Sequence, residues 1–111
     1  MDPRTVHART MLLAERERVL TELDEVRVQA PGPMTYGSQA AAASHVFEQQ
    51  RDLALRDRNN QHLADIDAAI ARVDAGAYGR CTSCGKPVAD ERLEALPWAE
   101  LCIGCQRDAR R

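Results

Sequence analysis

Aromatic side chains are nearly missing from this chain, which has one Phe, one Trp and two Tyr in 111 residues. Aromatics supply the largest apolar areas in protein cores, so so small a share excludes a large globular core. An elongated molecule is expected instead, held by helix pairing and by some further constraint. Long apolar runs are also lacking. None approaches the ~20 residues of a membrane span, and Met1-Asp2-Pro3-Arg4 leads into charged sequence rather than an apolar signal core, so no membrane association and a cytoplasmic location are expected. Nor does one sign of charge prevail: 15 basic and 17 acidic residues are interspersed, for a net charge of -2. A surface that coats nucleic acid or reads DNA sequence is not expected from such a balance. Lysine is almost absent, Lys86 standing against 14 Arg, and no mechanism follows from that. His7, His45 and His62 are scattered, and no Ser/His/Asp set, phosphate loop or supported carboxylate pair occurs, so the protein is not expected to be an enzyme.

What is present is helix. Asp2 is suited to cap a helix and Pro3 to open it, since proline's missing N–H costs nothing at the first position. Leu12, Val19, Leu23 and Val26 form one stripe, with Glu15, Arg16, Glu17, Arg18, Glu22 and Arg27 largely round the other faces, which predicts a pairing helix to about Val28. Ala30-Pro31-Gly32-Pro33 ends it. Ser38 is placed to cap a second helix that runs to about Ala75 without internal Gly or Pro. Leu63, Ile66, Ile70, Val73 and Ala77 step by threes and fours, the spacing of a coiled-coil seam, whereas Arg56, Asn59 and Asn60 make its middle polar. The fold class is therefore mainly α: a long antiparallel helical hairpin over residues 1–75, its tip at about 30–43, and a small finger over 76–111. A helix of ~35 residues is ~50 Å long. Because two antiparallel helices cover each other's apolar stripes within one chain, a monomer is expected.

Four cysteines supply the further constraint. Cys81-x2-Cys84 and Cys102-x2-Cys105, seventeen residues apart, have the spacing of a four-cysteine zinc ribbon: two intervening residues let both thiolates of a pair reach one ion, and two pairs complete a tetrahedron. Such a site is closed to water and holds structure. Gly85 and Gly104 are placed to permit tight turns around the sulfurs. Two disulfides would suit an oxidising compartment and iron would suit the ligands, but a cytoplasmic chain so poor in aromatics favours one structural zinc.

The run Gly76-Ala77-Tyr78-Gly79-Arg80-Cys81-Thr82-Ser83-Cys84-Gly85-Lys86-Pro87-Val88, with Glu91-Arg92-Leu93-Glu94-Ala95-Leu96-Pro97 and Cys102-Ile103-Gly104-Cys105, closely resembles the DksA/TraR-type zinc finger of bacteria. The resemblance extends upstream through Phe47-Glu48, Arg51-Asp52-Leu53-Ala54-Leu55 and the Ile66, Ile70, Val73 stripe, covering residues 43 to 106. It implies a transcription regulator that binds RNA polymerase directly: the finger and helix bases dock at the rim of the secondary channel, and the hairpin reaches towards the active centre to modulate initiation.

The resemblance also places an acidic D-x-x-D-x-A pattern of the family on Ser38-Gln39-Ala40-Ala41-Ala42-Ala43. Both acids are missing, at Ser38 and Ala41, and only Ala43 is kept. The tip positions implied to meet the partner are thus Ser38, Ala41 and Ala43, and an altered effect on initiation is expected. A family dependence on guanosine tetraphosphate falls on no residue here. The alternative function is a zinc-ribbon interaction module for nucleic acid, through Arg80, Arg92, Arg107, Arg110 and Arg111 with Trp98 for stacking, or for another protein partner.

Overall fold

The computed structural model describes residues 2–28 and 39–110, with side chains for 2–25 and 43–110. Its elements are α1 (Pro3–Val28), α2 (Gln39–Asp74), α3 (Asp90–Ala95) and α4 (Ile103–Ala109). Among the described residues the only β pairing is an isolated antiparallel bridge between Arg80 and Pro87. The molecule measures 59 × 32 × 20 Å, the elongated form expected of an aromatic-poor chain.

Local chemistry sets the helix ends. The Arg4 backbone N–H donates to Asp2 Oδ1 at 3.2 Å, so Asp2 caps α1 and Pro3 opens it. At the far end of α2, Gly76 takes a φ of 73°. Its N–H donates to the Val73 carbonyl at 3.1 Å, and the Ala77 N–H donates to the Arg72 carbonyl at 2.8 Å. Those two bonds form a Schellman motif, in which glycine adopts the left-handed backbone conformation at low cost and satisfies the last carbonyls. The helix thus stops where the finger must begin.

The two long helices pack antiparallel around Leu12, Val19, Ile66, Ala69 and Val73, all buried, with Leu23, Leu63, Ile70, Tyr78 and Trp98 packed against them. The expected stripe is therefore the core, with two corrections. Ala77 lies beyond α2 and is exposed, because the turn at Gly76 takes the chain off the helical path. Ala8 and Ala69 are buried seam positions, where a small side chain lets the helices approach. Val26 lies outside the described side chains.

Ion pairs mark the register. Arg16 Nε meets Asp67 Oδ1 at 2.8 Å and Arg9 Nε meets Asp74 Oδ1 at 3.2 Å, so level positions on the two helices have numbers adding to 83. Exposed pairs contribute at most ~1 kcal/mol each, and they report alignment better than they supply stability. By that alignment Val28 is level with Leu55. Roughly 16 residues at the start of α2, from Gln39 to about Ala54, extend about 24 Å past the end of α1, at 1.5 Å per residue. Mutual cover of the apolar stripes by the two helices was the sequence expectation; it holds near the finger, whereas among the described residues α1 does not reach this overhang, because α1 is ten residues shorter than α2, 26 against 36.

Leu12 is fully buried in the seam, whereas its neighbour Leu13 is 42% exposed. Leu12→Ala should cost about 2–4 kcal/mol of unfolding free energy and Leu13→Ala about 0.5 kcal/mol or less, as read from urea denaturation followed at 222 nm.

Candidate metal centre and its mounting

The finger begins directly after the α2 cap. Its first cysteine pair sits in a tight turn closed by backbone bonds: the Cys81 N–H donates to the Lys86 carbonyl at 2.8 Å, the Gly85 N–H to the Cys81 carbonyl at 3.0 Å, and the Val88 N–H to the Gly79 carbonyl at 2.8 Å. Gly85 has φ 76°, where a side chain would strain the backbone. The second pair is made differently. Cys102 is the N-cap of α4 and Cys105 lies in its first turn, so their three-residue separation places both sulfurs on one side of the helix start. Gly104 has no positive φ, and a methyl group there would meet nothing within 4 Å. The expectation that it permits a turn around sulfur is thereby corrected: an ordinary helical turn serves the second pair. A bond from the Thr82 N–H to the Glu100 carbonyl at 2.9 Å ties the two halves together.

These turns gather the ligands. The sulfurs of Cys81, Cys84, Cys102 and Cys105 all lie within 4.8 Å of one another, and Cys84 Sγ is 3.7 Å from Cys102 Sγ. Four thiolates at ~2.3 Å from zinc define a tetrahedron with edges of about 3.8 Å, so the set fits one such ion. All four cysteines are free of disulfides, and among the described residues no other group of potential ligands converges in this way. A four-thiolate shell leaves no open coordination position, which makes the zinc structural.

Electrostatics within the cluster favour a cation. The backbone N–H of Cys102, with those of Cys84 and Ser83, holds the Cys81 thiol down to about 6, and the backbone N–H of Cys105 lowers Cys102. Cys105 is pushed the other way, up to about 12, by its hydrogen bonds with the sulfur groups of Cys102, Cys81 and Cys84. Packed sulfurs cannot all carry negative charge without a positive ion between them; bound zinc supplies that charge, and acidification releases it by protonating the thiolates.

The finger is mounted on the hairpin by residues whose roles were not read from sequence. Tyr78 OH donates to the Pro97 carbonyl at 2.9 Å, and burial raises its pKa above the usual tyrosine range, so it remains a neutral donor. Trp98 meets the His62 ring edge-on, with centroids 4.5 Å apart and planes at 83°. Its carbonyl accepts from Arg72 at 3.5 Å, and Arg92 Nε donates to the Leu101 carbonyl at 3.2 Å. Arg4 joins α1 to α3 through Asp90 at 2.7 Å. Trp98 and Arg92, considered from sequence as nucleic-acid contacts, are thus engaged within the finger and its joint. Only the aromatic scarcity hinted at this, since two of the four aromatics in the chain, Tyr78 and Trp98, stand at the joint.

Of the sequence-derived tip positions, Ser38 lies outside the described residues. Ala41 is in the first turn of α2, and Ala43, two residues further on, is exposed. Neither approaches the metal centre.

Chelating the zinc should unfold α3 and α4, 6 and 7 residues long, and leave α1 and α2 paired. Ellipticity at 222 nm should fall by only about a fifth while four thiols become reactive towards a thiol reagent, because the metal organises the finger and the apolar seam organises the hairpin. Loss of most helical signal would contradict that division.

Comparison with known proteins agrees with the geometry. Residues 76–111 match the family described as prokaryotic dksA/traR C4-type zinc finger. The chain is 30% identical over 102 residues to the Haemophilus influenzae protein named RNA polymerase-binding transcription factor DksA, covering 91% of this chain and 70% of that one. It is 31% identical over 98 residues to the Escherichia coli protein of the same name, covering 88% of this chain and 61% of the relative. Among solved structures, transcription factor DksA2 from Pseudomonas aeruginosa superposes with a TM-score of 0.81 at 28% identity, over 98% of this chain and 84% of that one. A Chlamydia trachomatis structure, at 17% identity and TM-score 0.63, shares the fold over 99% of this chain and 91% of its own. From the four-cysteine finger to the paired helices, the chain belongs to the DksA/TraR family.

Proposed function

We propose that this protein binds RNA polymerase directly, entering the secondary channel with its helices, and modulates transcription initiation. The observation that carries the reading is the combination of a closed four-cysteine finger with a thin helical projection, in a chain whose relatives are named RNA polymerase-binding transcription factors. The chain spans roughly six to seven tenths of the length of those relatives. An α2 of 36 residues is about 54 Å long and, with its side chains, 10–12 Å thick, so it can enter a passage that a globular domain cannot. No helix among the described residues is long and apolar enough to cross a membrane. The protein acts in the cytoplasm, as a monomer, without catalysing a reaction of its own. Its domains are the hairpin, 1–75, and the finger, 76–111, and its metal ligands are Cys81, Cys84, Cys102 and Cys105.

The nucleic-acid reading has less support, because Trp98 is partly buried against the hairpin core and in contact with His62, where it serves the joint and does not stand out as a stacking platform. A different protein partner remains the competing class, and one measurement separates them. Zinc-loaded protein should bind purified bacterial core RNA polymerase and be displaced by a known secondary-channel factor; failure to bind would return the family resemblance to fold alone.

The tip is where this chain departs from the family pattern. With Ser38 and Ala41 at the two acidic positions, it supplies no carboxylate there, so its effect on initiation is altered or weak. In promoter-output assays Ser38→Asp combined with Ala41→Asp should strengthen the effect at unchanged polymerase affinity. Unchanged output with binding intact would show that these positions do not set the activity.

A further inference from the structure

We draw no further inference here: the strongest candidate, the cleft between α2, α3 and α4 lined by Asp65, Arg92, Leu96, Trp98, Ile103 and Arg107, belongs to the finger and helix base already read as docking on the polymerase, and nothing in the structure shows a second occupant for it.

Discussion

Two long helices and a finger meet at one small apolar cluster, and the other parts are placed by it. Leu12 and Val19 from α1 close on Ile66, Ala69 and Val73 from α2, while Tyr78 and Trp98 pack against the same group from the finger side. Because the chain has so few large apolar side chains, this cluster is confined to the end of the hairpin nearest the metal. It keeps α1 aligned on α2 and gives the finger a surface to lean on. The metal has a separate job: it joins two short turns that share little apolar surface of their own, and among the described finger residues only Cys81, Val88 and Pro97 are buried. Seam and metal are thus neighbouring but chemically distinct sources of order, the first depending on exclusion of water and the second on thiolate charge.

Features decided within a few residues were legible in the sequence. Asp2-Pro3 marked the start of α1, the proline-rich segment after Val28 marked its end, and the x2 spacing of each cysteine pair announced shared coordination. All depend on backbone stereochemistry or the reach of a side chain to a near neighbour. Gly104 was misread for the same reason: a glycine between two cysteines suits either a strained turn or a helix start, and only the surrounding backbone distinguishes them. Ala77 satisfied a periodicity count that the turn at Gly76 interrupts. The overhang and the Trp98–His62 joint were not legible, since each depends on how segments far apart in sequence come together. Trp98 lies 36 positions beyond His62, and no local pattern encodes their contact.

The charged surface is less informative about stability than its abundance suggests. Arg18 bonds to Glu15 and to Glu22, and Arg9 and Arg16 reach across to α2, but all are open to solvent and screened by salt. Their use is in discriminating alignments. A slip of one helical turn along the seam would separate Arg9 from Asp74 and Arg16 from Asp67 together, while an apolar contact between alanines and valines would be partly recovered at the next turn. The seam favours pairing, and the flanking charges favour one register.

The unbroken course of α2 also gives the molecule a mechanical property. One helix starts at the joint with the finger and continues, without an internal proline or glycine, into the segment that α1 does not reach. A straight α-helix transmits bending moments along its length, so the overhang and the finger's seat are two ends of one lever. With an arm of about 54 Å, a tilt of about 5° at the seat displaces the far end by about 5 Å, close to the rise of one helical turn. The packing of Tyr78 and Trp98 at the base therefore sets the aim of the projecting end, and small changes at the joint are magnified before they reach it.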